Sequence, residues 1–284
     1  MAISRLGIVG SGIMGSGIAE VAAKSGVEVI LRSRKRETAD AMVAGLERSL
    51  AKQVERGKLE EQAAKEIGAR VSATDDLHAL HDCDLVLESV VEDLSVKKEL
   101  FTRLDDIVKP EGILATNTST LPVVELAVAT ERPEKVVGIH FFNPAPMMKL
   151  VEVIAPLTAS PETVAAARAF AEGCGKDVVE VKDRAGFIVN ALLFPYLNNA
   201  VRMLEAGTAS REDIDTAMQG GCNFPMGPLA LLDLVGLDTS LSILDALYDE
   251  FRDPNYAAMP LLRRMVAAGQ LGRKSGNGFY DYRK

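Results

Sequence analysis

The sequence predicts an α/β protein: a doubly wound, mostly parallel sheet, followed by a smaller and wholly helical C-terminal domain. Two observations carry that expectation. Short β-branched apolar runs alternate with longer helical patterns up to about Lys182. Strand, helix and strand repeated in this way imply right-handed crossovers onto a parallel sheet. Beyond Lys182 the strand-like runs vanish, and helical patterns are punctuated by Gly207, Gly220-Gly221, Gly227-Pro228, Pro254 and Gly269. A boundary is therefore expected near 183–186, dividing the chain into 1–184 and 185–284.

In chain order, Leu6–Val9, Val27–Leu31, Leu85–Leu87, Ile113–Ala115, Val136–Ile139 and Leu150–Ile154 read as buried strands. Ile13–Ser25 and Val96–Val108 read as helices between them. The interval from about Arg36 to Ile67 is charged and helix-favouring, with Gly57 as a stop in its middle. It reads as two helices, more than one crossover needs. Further on, Pro195 interrupts an apolar helical stretch from Phe187 to Leu204, where a kink or a helix start is expected.

Composition bounds the function. The chain has 284 residues, and 32 basic against 40 acidic side chains give a net charge of −8. Such a chain is ill suited to nucleic acid or an anionic membrane surface. Cys83, Cys174 and Cys222 form no C-x-x-C pair, so neither a disulfide framework nor a metal site is expected. No apolar run reaches the ~18 residues of a membrane span. The N-terminal residues show no secretory pattern, and a reduced, cytoplasmic protein is the expectation.

Gly10-Ser11-Gly12-Ile13-Met14-Gly15 directly follows the first strand and opens the first helix. This is the dinucleotide-binding (Rossmann) fingerprint. Gly10 permits the tight turn, Gly12 lets a pyrophosphate approach the backbone, and Gly15 allows close helix packing. The helix N-terminus offers N–H groups and a positive dipole end to the phosphates. NAD sites usually carry an acid about 20 residues on, at the end of the second strand, to bind the ribose 2′-OH. Here the segment reads Leu31-Arg32-Ser33-Arg34-Lys35-Arg36, with Ser33 where the acid would stand. A serine hydroxyl beside Arg34 attracts a 2′-phosphate that a carboxylate would repel, which favours NADP over NAD.

A polar constellation lies on strand ends. Asn117-Thr118-Ser119-Thr120 follows one strand, and His140-Phe141-Phe142-Asn143 follows another. Ligands collect at the carboxyl ends of strands in open α/β sheets. Glu152 lies inside an apolar strand, where burial without a partner is costly. His140 is its natural partner, because a carboxylate fixes one imidazole tautomer and makes the ring a better base.

Nearly the whole chain resembles the short-chain bacterial L-3-hydroxyacyl-CoA dehydrogenases. The resemblance runs through Gly10–Ala19, Val91–Lys97, Asn117–Leu121, His140–Pro146, Lys149–Glu152, Gly186–Asn190, Pro225–Pro228 and Gly272–Tyr280. It implies that His140 is the catalytic base and that Glu152 orients it. By the same likeness Ser119 and Asn190 hydrogen-bond substrate oxygens, and Asn143 supports the site. Glu92 and Lys97 match contacts to the nicotinamide half of the cofactor, and Asn117 and Asn143 are counted with them as cofactor-binding. The paired helices after the second strand match an insertion facing acyl-CoA, where Lys52 and Arg56 stand four apart on one helical face. A homodimer is implied as well. The sequence departs from the family at Ser33, and at Ala185 and Ala191, where proline and arginine are expected. An alternative keeps the fold but takes another 3-hydroxy acid, such as 3-hydroxyadipyl-CoA or gulonate.

Overall fold

The computed structural model describes residues 2–283. The chain separates into two compact units between Asp183 and Arg184.

The first unit is built on one eight-stranded sheet of order β3-β2-β1-β4-β5-β6-β7-β8. Its strands are β1 (Arg5–Val9), β2 (Glu28–Arg32), β3 (Val71–Thr74), β4 (Leu85–Glu88), β5 (Ile113–Thr116), β6 (Val136–Phe141), β7 (Leu150–Ala155) and β8 (Asp177–Lys182). Helices α1 (Ile13–Lys24), α2 (Arg36–Glu55), α3 (Glu61–Ala69), α4 (Leu94–Ile107), α5 (Val123–Ala127) and α6 (Pro161–Gly173) connect them. Every residue of β4, β5 and β6 is buried, which is why these segments read as continuous apolar runs. Helix α1 buries Ile18, Ala19, Val21, Ala22 and Ala23 in the same core.

The two strands that the sequence pattern does not reveal are the edges. β3 is a short Val-Ser-Ala-Thr, and β8 is half exposed along Asp177–Lys182. Edge strands bury too little to leave a clear apolar signature. The helical pair expected after β2 is present as α2 and α3, separated by the left-handed Gly57. Helix α2 is tied to α1 through Glu20, whose buried carboxylate accepts from Lys24, Ser49 and Gln53.

β1 to β6 pair in parallel, but β7 runs antiparallel to β6 and β8 parallel to β7. The link between β6 and β7 spans residues 142–149, too short for a parallel crossover of a dozen or more residues. This reversal places His140 directly opposite Glu152. Gly138, opposite Ile154, pins the register, because a Cβ there would stand 2.7 Å from the Ile154 Cβ.

The second unit contains α7 (Val189–Glu205), α8 (Arg211–Cys222), α9 (Pro228–Val235), α10 (Leu237–Phe251) and α11 (Pro260–Ala267). They close on Phe194, Leu197, Leu229, Leu244, Leu247 and Leu262. Pro195 lies inside α7 and does not start it. The C-terminal tail is strapped to the unit by Asp233, which accepts from the N–H groups of Phe279 and Tyr280 and from the Tyr282 hydroxyl.

Candidate active site

The carboxyl ends of β1, β4, β5 and β6 present the polar residues. At the end of β1, Gly10 has φ +138°, and a Cβ there would lie 2.2 Å from the Ser89 carbonyl oxygen. Only glycine makes this turn. Gly12 caps α1 and has open space on its Cβ side, while a Cβ on Gly15 would strike the Gly10 carbonyl at 2.6 Å. Ser11, Gly12 and Ile13 are exposed, Met14 is half-buried, and the first turn of α1 holds no acid. Those free N–H groups form a cradle that fits a pyrophosphate.

Ser33 follows β2 directly, is 6 % exposed, and donates its N–H to the Thr74 carbonyl. Arg34 is exposed beside it. Burial, with the neighbouring guanidinium groups of Arg103 and Arg34, pushes Arg32 below its ordinary range. Asp75 and Asp76 act in the opposite sense, so the charge around Arg32 is mixed, and Arg103 is a contributor from α4 that the local sequence around Ser33 could not announce.

The acid–base centre is formed by β6, β7 and the loop after β5. His140 is 4 % exposed and Glu152 is wholly buried. The His140 Nδ1 lies 2.8 Å from Glu152 Oε2, and its Nε2 lies 3.1 Å from Ser119 Oγ. A carboxylate accepts only, so Nδ1 carries the proton and Nε2 turns a lone pair toward the serine side. Phe142 packs against the imidazole with ring centroids 4.5 Å apart. Asn117 accepts from the Phe141 N–H through Oδ1, tying the β5 loop to the end of β6. Asn143 is exposed on the following loop.

Glu92 shapes the Ser119 loop. It accepts from the Thr118 hydroxyl at 2.5 Å and the Ser119 N–H at 2.9 Å, and Lys97 stands 3.1 Å away. Burial works to raise its pKa, but the Lys97 charge and these hydrogen bonds outweigh it and hold Glu92 below the usual range. The Lys97 side chain is 1 % exposed, and its ammonium sits between Glu88 and Glu92. Glu88 was not singled out by the sequence pattern, although an acid closing the apolar run Leu85–Leu87 was the available signal.

Lys52 and Arg56 are exposed at the C-terminal end of α2, away from the strand ends. Asn190 is buried in the first turn of α7 in the second unit. Burial pushes the Cys83 thiol up to about 12 and the Cys174 thiol up to about 11, which makes both poor nucleophiles. Among the described residues no cluster of His, Cys, Asp and Glu could hold a metal ion, and no helix is long and apolar enough to cross a membrane.

A glycine cradle at the head of a parallel sheet, with a carboxylate-held imidazole on a neighbouring strand end, defines a dinucleotide-dependent dehydrogenase. Comparison with known proteins makes the class specific. Residues 5–184 match the family model of the 3-hydroxyacyl-CoA dehydrogenase NAD-binding domain, and residues 186–282 match that of the 3-hydroxyacyl-CoA dehydrogenase C-terminal domain. The chain belongs to the 3-hydroxyacyl-CoA dehydrogenase family. It is 48 % identical to a 3-hydroxybutyryl-CoA dehydrogenase of Mycobacterium tuberculosis, over 99 % of each chain. A 3-hydroxybutyryl-CoA dehydrogenase of Clostridioides difficile is also 48 % identical, over 99 % of this chain and all of that one. The crystal structure of an (S)-3-hydroxybutyryl-CoA dehydrogenase from Ralstonia eutropha superposes with a TM-score of 0.97 at 41 % identity, covering 100 % of both chains.

Proposed function

We propose that the enzyme interconverts short-chain L-3-hydroxyacyl-CoA and 3-oxoacyl-CoA, such as 3-hydroxybutyryl-CoA and acetoacetyl-CoA. The observation that carries this reading is the hydrogen-bonded chain Ser119–His140–Glu152 at the strand ends. Relatives named 3-hydroxybutyryl-CoA dehydrogenase support the substrate, and they disfavour a sugar acid such as gulonate.

The nicotinamide dinucleotide, when bound, supplies the hydride acceptor for C3 and the hydride donor in the reverse direction. Gly10, Gly12 and the first N–H groups of α1 would hold its pyrophosphate, and Glu92 and Asn117 would line its nicotinamide side. Ser119 would hold the oxygen on C3. As hydride leaves C3, His140 Nε2 takes the hydroxyl proton, and the C–O bond becomes a carbonyl. Glu152 stabilises the imidazolium that forms, and the reverse reaction returns the same proton to the carbonyl oxygen.

The cofactor in this reading is NADP. Its 2′-phosphate would meet Ser33, Arg34 and Arg32, with no acid in the position of Ser33, although Asp75 and Asp76 also act on Arg32. Ser33→Asp should shift preference toward NAD by about tenfold, the effect of one like charge placed against the phosphate. A wild type that prefers NAD would remove this part of the proposal.

Lys52 and Arg56 are proposed to meet the CoA phosphates. Replacing both by alanine should raise KM for acetoacetyl-CoA about three- to tenfold, as expected of two exposed ion pairs, and leave KM for free acetoacetate alone. Work in the cytoplasm as a homodimer belongs to the same proposal. Exposed Leu192, Met203 and Phe224 on the helical unit favour self-association. Sedimentation at micromolar concentration would detect it. The decisive experiment is a grid of acetoacetyl-CoA and longer 3-oxoacyl-CoAs against NADPH and NADH. Turnover of the short thioester supports the reading, and no turnover with any pair sinks it.

A further inference from the structure

The ion cluster beside Ser119 has an uneven charge count. Glu88 is wholly buried and accepts four hydrogen bonds. They come from the Val90 N–H at 2.6 Å, the Thr116 hydroxyl at 2.8 Å and the Lys97 ammonium at 2.8 and 2.9 Å. Every one is a donation, the bond set of an ionised carboxylate. Lys97 then reaches Glu92 at 3.1 Å. One cation between two carboxylates leaves one negative charge. Glu92, with 38 % of its side chain exposed, is the member that shows it to solvent.

The position of that charge matters. Glu92 holds the Ser119 N–H, and the Ser119 hydroxyl meets the catalytic imidazole. A hydride can be exchanged at a carbon beside His140 only if the nicotinamide ring lies along this loop. The ring is cationic when oxidised and neutral when reduced, so a fixed negative charge at this place stabilises one redox form over the other.

We infer that Glu88 is a charge-setting and positioning residue: by neutralising Lys97 it leaves Glu92 uncompensated, and so biases the site toward the oxidised dinucleotide. The inference rests on the dehydrogenase reading above. Without the Glu88 charge, Lys97 and Glu92 would cancel, although the loop would keep its hydrogen bonds to Glu92.

The test is direct binding of oxidised and reduced dinucleotide to the full-length protein, by calorimetry and by NAD(P)H fluorescence, without substrate. Glu88→Gln removes the charge and keeps the shape. It should raise the ratio of the dissociation constants, oxidised over reduced, about three- to tenfold, as one partly screened charge would. Glu88→Asp keeps the charge, and the double variant Glu88→Gln/Lys97→Met restores the count, so both should stay within twofold of the wild-type ratio. A Glu88→Gln ratio within twofold of wild type overturns the inference, as does a Glu88→Asp shift equal to that of Glu88→Gln. If Glu88→Gln fails to fold, the double variant decides: a ratio within twofold supports the inference, and a larger change overturns it. A wild type that binds neither dinucleotide defeats the dehydrogenase reading as well, which separates the two failures.

Discussion

In the sheet unit, the two wholly buried glutamates, Glu88 and Glu152, meet a lysine and a histidine. In the helical unit, the buried aspartates Asp215 and Asp233 meet backbone N–H groups and tyrosine hydroxyls. Asp215 accepts from Leu229 and Ala230 at the start of α9, and Asp233 accepts from the strap that ends the chain. The partner decides what a buried carboxylate can do. Against a titratable base it can follow a proton through a reaction cycle. Against amides and phenols it is a fixed acceptor, and its free energy goes into holding the fold. Chemistry should therefore be lost in one unit and stability in the other.

The sharpest test of this contrast is His140→Ala. Removing a general base should lower kcat by a factor of about 10²–10⁴. Affinity for the dinucleotide should persist, because the glycine cradle is untouched. Steady-state kinetics together with NAD(P)H fluorescence titration check both. Full turnover would show that the imidazole is not the base. Glu152→Gln should lose less, because the ring keeps its neighbours on β6 and lacks only the charge that stabilises the imidazolium.

Asp233→Ala is the matching experiment in the helical unit. It strips acceptors from Phe279 N–H, Tyr280 N–H and the Tyr282 hydroxyl, a total loss of about 3–9 kcal/mol when each orphaned donor costs about 1–3 kcal/mol. Urea unfolding should show the loss. Molecules that remain folded should turn over at nearly the wild-type rate. A fall in kcat as deep as that of His140→Ala, at full stability, would break the distinction between the two kinds of carboxylate.

How far these roles are legible in the sequence follows the same divide. Buried central strands announce themselves as apolar runs, so β1, β2, β4, β5, β6 and β7 are readable. The polar residues that close β5 and β6 come with them. His140 and Glu152 are visible one by one, but what joins them is the antiparallel register, which follows from the short β6–β7 link. Edge strands such as β3 escape because half their residues face water. The pairing of Glu88 with Lys97 escapes for another reason. An acid at a strand end and a lysine in a helix look solvated until the fold brings them together. Asp233 stands in the apolar run Leu229–Val235, a signal like that of Glu152, but its partners are backbone groups about 46 residues away that no pattern marks.

The smallest predicted effect separates the units by pH. Asp84, at the start of β4, accepts from Ser4 N–H, the Ser4 hydroxyl, Arg5 N–H and Lys109. Burial opposes its ionisation, but these donors prevail and hold its pKa at about 2. An unfolded aspartate titrates near 3.9, so the stability from Asp84 is complete above about pH 4 and is lost as pH falls toward 2. At about 1.4 kcal/mol per pKa unit, that is about 2.6 kcal/mol. Asp233 has the opposite sign. Burial raises its pKa despite its donors, so the folded state holds the proton more tightly and stability falls as pH rises through the window above the unfolded value. Thermal unfolding from pH 2 to 6 should therefore show a shallower acid limb in Asp84→Asn. An unchanged limb in that variant would mean that the link between β1 and β4 owes nothing to the ionised form of Asp84.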